Sequence, residues 1–138
     1  MPERNVERQQ KDPMDLWPEE IQPTQVTPPV AILKRQASLL GTRTKAALRG
    51  KVETTILGGR LHHSFYIVAP ALENYRYELF EVTHLGEMPY PVTIWAGPKP
   101  EHGDELKSEQ EFTEWLRDVL TSEETRRVVG ALLAQVRS

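Results

Sequence analysis

Gly58-Gly59 constrains this chain more than any other feature, because the pair sets the register of a β-hairpin. A two-residue glycine loop supplies the positive φ angles that tight hairpin turns require. Around that turn Leu57 pairs with Arg60, Ile56 with Leu61, Val52 with Phe65, and Leu48 with Ala69. One face then carries Leu48, Val52, Ile56, Leu61, Phe65 and Ile67. Both strands place apolar residues on that face, which supports the turn. The opposite face carries Lys45, Arg49, Lys51, Tyr66 and Val68. Gly50 interrupts the first strand and marks a candidate bulge.

A third strand, about Tyr75 to His84, follows the turn-like Pro70-Ala71-Leu72-Glu73-Asn74. A turn centred near Leu72-Glu73 puts Phe65 opposite Phe80 and Val68 opposite Tyr77. Phe80 and Val82 then join the apolar face, and Tyr77 and Leu79 join Tyr66 on the other. A short fourth strand, Val92 to Trp95, begins after Pro89 and Pro91 and reads as a sheet edge. Gly97 to Lys107 reads as a polar loop.

Helices flank the strands. Thr27 is an N-cap candidate with Pro28 at the first helical position, and Val30, Leu33, Ala37 and Leu40 recur at helical spacing up to Gly41. Ser108 with Glu111, and Thr121 with Glu124, have capping-box spacing. Phe112, Trp115, Leu116, Val119 and Leu120 line one of the two C-terminal helices. Val128, Val129, Leu132, Leu133 and Val136 line the other, where Gly130 and Ala134 allow close approach of a neighbour. The expected fold is α+β: an N-terminal helix, a four-stranded antiparallel meander, and two C-terminal helices packed on the sheet.

Residues 1–26 read as a disordered or loosely docked proline-rich tail, and residues 27–138 as a single domain. Six of the eleven prolines fall within residues 1–29, which lack an apolar period. Met14, Leu16, Trp17 and Ile21 form one apolar island there. The absence of cysteine excludes disulfides and thiolate chemistry and fits a cytoplasmic protein. The N-terminus lacks signal-peptide features, and no apolar run is long enough to span a membrane.

Charge is uneven along the chain. Residues 30–60 hold seven bases and one acid, whereas residues 101–138 hold nine acids and five bases. Such a basic block suits an acidic partner, or it neutralises the acidic helices within the fold.

No catalytic motif is present. The chain has no Gly-x-Ser-x-Gly elbow, no phosphate-binding loop and no dinucleotide fingerprint. Ser64 between His63 and Phe65 has strand neighbours that face apart from it. Glu123-Glu124 fits a helix first turn. His62 and His63 point to opposite faces, and only His63 and His84 come to share one. His102 lies in the polar loop. Two such ligands make a poor metal site. We therefore expect no catalytic residue, no metal and no cofactor.

The remaining site candidates are a basic and aromatic sheet face of Arg49, Lys51, Tyr66 and Tyr77, and the tail motif at Trp17. They suggest a small cytoplasmic, non-enzymatic protein-binding module of accessory, adaptor or immunity-like type. Its partner would be another protein or a second copy of the chain, with no membrane involved. The alternative is a nucleic-acid-associated protein stacking bases on the aromatic face. An enzyme without a recognisable motif is the third reading.

Overall fold

The structure is a computed structural model that describes residues 12–96 and 103–138. Three helices and a five-stranded antiparallel sheet make an α+β fold. In chain order they are α1 (Pro29–Arg43), β1 (Arg49–Leu57), β2 (Arg60–Ala69), β3 (Tyr75–Leu85), β4 (Val92–Ala96), β5 (Asp104–Leu106), α2 (Glu109–Leu120) and α3 (Glu123–Val136). The strands stand side by side in sequence order.

The hairpin forms as its glycines demand. Gly58 and Gly59 take φ of 60° and 75°, and Leu57–Arg60, Ile56–Leu61 and Val52–Phe65 are register partners. Gly50 makes no bulge. A Cβ there would stand 2.4 Å from the Ala37 Cα, so glycine lets α1 lie directly against β1. The bulge falls instead between β2 and β3. Phe65 is opposite Phe80, but Tyr66 is opposite Glu78, leaving Leu79 as the extra residue. Consecutive apolar residues explain it: a strict period of two would expose either Leu79 or Phe80, and the bulge lets both pack on the core.

That one-residue shift corrects the expected facing of Tyr77. It pairs with Ile67 rather than Val68 and packs against the core side. Arg76, paired with Val68, takes its place on the other face. Lys45 also leaves that face. It and Ala46 adopt left-handed φ of 52° and 68° in the turn after α1, and β1 begins only at Arg49.

Helix ends differ in detail from expectation. Pro28 caps α1 with Pro29 in the first turn and no side-chain bond, and the helix runs past Gly41 to Arg43. Thr27 instead ties neighbouring elements together: its N–H donates to Glu109 Oε1 (3.0 Å), and its carbonyl accepts from the Tyr90 hydroxyl (2.8 Å). Burial first, and then Glu109, push the Tyr90 hydroxyl pKa up. Thr44 closes α1 by donating to the Leu40 carbonyl (2.9 Å) and accepting from Leu48 N–H (3.1 Å).

Ser108 caps α2 by accepting from Glu111 N–H (3.1 Å). The Glu111 carboxylate reaches Lys107 N–H (2.9 Å) rather than that of Ser108. Helix α3 is capped by Ser122, whose hydroxyl accepts from Thr125 N–H (3.2 Å). Thr121 is instead the C-cap residue of α2, its hydroxyl donating to the Arg117 carbonyl (2.7 Å).

The fifth strand was not expected. Leu106 pairs with Val92 and Asp104 with Ile94, so β4 is an inner strand and β5 the edge. Two of its three residues are acidic, a composition poor in strand formers. Residues 97–102 of the expected polar loop, with His102, lie outside the described residues, as do residues 1–11 of the expected tail.

The core lies between one sheet face and the helices. Leu33 and Ala37 from α1, Phe112 and Leu116 from α2, and Val128 and Leu132 from α3 meet Phe65, Ile67, Phe80, Val82, Val92 and Ile94 from the sheet. Phe65 stacks on Phe80 (centroids 5.4 Å apart), and Trp115 meets Phe80 edge-on at 5.0 Å. Burying each large side chain contributes about 1.5–3 kcal/mol. Among the described residues no helix is long and apolar enough to cross a membrane.

Candidate functional site

Three places hold polar or exposed side chains that the core does not explain. The first is the sheet face opposite the helices. The register puts Lys51 beside Tyr66, Glu53 beside Ser64, and Ser64 beside Glu81. Arg49, Lys51 and Tyr66 stand here as expected, and Tyr77 does not. Arg76 is the residue that sequence reasoning missed, because its facing depends on the bulge.

Arg76 reaches across β2. Its guanidinium lies 4.2 Å from the centroid of the Tyr66 ring and donates to Glu53 Oε2 at 2.8 Å. Lys51 approaches the same carboxylate at 3.5 Å. Hydrogen bonding to Arg76 holds the Glu53 carboxyl below its usual range and raises the Arg76 pKa in turn. The pairs are solvent-exposed, so each stabilises the fold little. Their effect is chemical: two of the cations on this face share one acid, and one side of the Tyr66 ring is already occupied. Farther along, His62 Nδ1 lies 2.9 Å from Glu81 Oε2. Ser64 shares their face, yet among the described residues no hydrogen bond joins it to either.

The second place is inside the core. His63 and His84 do share the helix-covered face, and their Nε2 atoms lie 2.9 Å apart. Nδ1 of His84 faces the carbonyls of Leu85 (2.8 Å) and Met88 (3.1 Å), so it carries the proton. Its Nε2 therefore accepts from His63 Nε2–H, and His63 Nδ1 accepts from the Thr54 hydroxyl at 2.8 Å. This one-way chain satisfies every ring nitrogen with both histidines neutral. Burial first, and then the neighbouring His84, His62 and Lys34, push the His63 pKa down to about 4. The pair serves packing and polarity better than metal binding, since each Nε2 faces the other. Among the described residues no three His, Cys, Asp or Glu side chains gather as metal ligands.

The third place is the segment before α1. Met14, Leu16, Trp17 and Ile21 are 75%, 85%, 74% and 70% exposed. Side-chain turns shape it locally: Asp12 Oδ1 accepts from Met14 N–H (2.8 Å) and Asp15 Oδ1 from Trp17 N–H (3.1 Å). Residues 12–27 carry Asp12, Asp15, Glu19 and Glu20 and no Lys, Arg or His.

No protein-family model, curated protein or solved structure matches this chain.

Proposed function

We propose that the chain is a non-enzymatic protein-binding module and that residues 12–21 are its binding element. The exposure of four large apolar side chains within eight positions carries this reading. Single exposed apolar residues are ordinary on protein surfaces, but clustered ones, Trp above all, mark sites of contact. Four carboxylates interleaved with them define the partner's chemistry: an apolar recess bordered by cations.

The open sheet face supports a weaker claim. Glu53 takes up charge from Lys51 and Arg76, and Arg76 covers the Tyr66 ring. Both features work against the nucleic-acid reading, which needs free cations and a bare aromatic surface.

The test is affinity capture on immobilised full chain after nuclease treatment, comparing wild type with Leu16→Ala/Trp17→Ala. A defined protein retained by the wild type and lost from the variant supports the reading. An identical set retained by both would overturn it.

A further inference from the structure

We infer that residues 12–21 of one copy dock in an apolar, arginine-rimmed groove of a second copy. This rests on the reading of that segment as a binding element and names its partner.

The groove runs between α1 on one side and α2 with α3 on the other, and encloses about 700 Å³. That lies within the range of about 300–1,000 Å³ over which proteins hold compact ligands. Phe65, Ile67 and Leu79 form its floor. Leu79 is there because of the bulge in β3, so the same backbone irregularity that turned Tyr77 inward also made the floor apolar.

Charge on the groove is one-sided. Arg43, Arg117 and Arg126 come from three different helices, and no Asp or Glu lines the groove. Among the described residues none of the three arginines forms an ion pair. The whole chain has more acids than bases, so this concentration runs against its average.

Gly130 adds an independent observation. It sits inside α3, where glycine weakens a helix relative to alanine. A Cβ there would meet nothing within 4 Å. Gly130 therefore faces open space. It leaves bare backbone on the α3 wall of the groove, where an incoming chain can approach closely.

The segment and the groove are complementary in both respects. One offers exposed Met14, Leu16, Trp17 and Ile21 among carboxylates, and the other an apolar floor among guanidinium groups. The segment stands clear of its own fold, with those side chains in solvent, while the chain that follows it is pinned at Thr27. Seating it in a second copy buries both surfaces, and reciprocal exchange closes a two-fold dimer.

Three full-chain variants test this. Leu16→Ala/Trp17→Ala disables the segment. Arg117→Glu/Arg126→Glu reverses the exposed rim, and Gly130→Trp fills the groove. Melting curves verify that each folds. A labelled peptide of residues 12–27 is titrated into the Leu16→Ala/Trp17→Ala chain, and sedimentation velocity follows assembly well above the peptide Kd. We expect wild type to dimerise and each variant alone to stay monomeric. Mixing the segment variant with a groove variant should restore a heterodimer, because each supplies the half that the other lacks. Adding Arg117→Glu/Arg126→Glu to the receptor should weaken the peptide about tenfold or more, because it sets like charges across the contact. A monomeric wild type overturns the inference, including the case in which the segment folds back into its own groove. So does peptide affinity unchanged by Gly130→Trp, or a mixture that stays monomeric. Capture of a different protein by the segment, with no self-association, would sink this inference and leave the proposed function standing.

Discussion

The two faces of the sheet use the same residue types in opposite ways. His62 and His63 are adjacent in sequence, yet one faces solvent beside Glu81 and the other lies 1% exposed against His84. Tyr66 and Tyr77 divide likewise, one under a guanidinium on the open face and one against the core. On the covered face every polar atom needs a partner of fixed direction, because an unmet one costs about 1–3 kcal/mol. On the open face water fills any gap, so ion pairs there adjust charge rather than stability. Position relative to the helices, more than chemistry, decides what a side chain contributes.

The largest expected effect tests the covered face. Phe65→Ala removes the ring stacked on Phe80 and should cost about 3–5 kcal/mol in denaturant unfolding. An unchanged midpoint would contradict the register set by the glycine turn.

Acid comes next. His63 has a folded pKa of about 4 against 6.5 when unperturbed. The unfolded chain therefore takes up its proton first as pH falls. The stabilising contribution is complete above the unfolded pKa and drains away as pH drops towards 4. The loss should reach about 2 kcal/mol by pH 5, at 1.36 kcal/mol for each pH unit below the unfolded pKa. His63→Gln keeps a donor for His84 and an acceptor for Thr54 without titrating. It should flatten the stability profile between pH 7 and 5, and a slope as steep as wild type would show that His63 is not its source.

The open face should respond weakly. Lys51→Glu with Tyr66→Ala should cost no more than about 1 kcal/mol, because among the described residues no helix packs on that face. A loss as large as that of Phe65→Ala would erase the contrast between the faces. Smallest of all is truncation: deleting residues 1–26, which retains Thr27, should shift the stability of the monomer, measured at a concentration too low for assembly, by less than about 0.5 kcal/mol, the usual scale for exposed changes. A Tm fall of about 8 °C, roughly 2 kcal/mol in a domain of this size, would place the segment in the core instead.

Much of the architecture was legible locally. Gly58-Gly59 dictates a turn whatever surrounds it, and alternation along residues 48–69 then assigns both faces. The apolar periods of α2 and α3 and the capping serine of α2 are equally local. The N-cap of α3 is not: the spacing points to Thr121, but α2 runs on to make Thr121 its own C-cap, which moves the cap of α3 to Ser122.

Of the candidate sites, Arg49, Lys51, Tyr66 and Trp17 lie in positions that alternation or exposed composition indicates, whereas Tyr77 does not. The sequence by itself determined the hairpin, the order of the three helices and the first four strands, and the apolar-acidic character of residues 12–21. Tertiary structure alone decided the bulge at Leu79, the pairing of the acidic strand β5, and the meeting of Arg43, Arg117 and Arg126 at one groove. The physical reason is range. Turn dihedrals and side-chain periods act over a few residues, whereas a bulge is chosen by which side chains must share a core, and a groove exists only where separate helices pack.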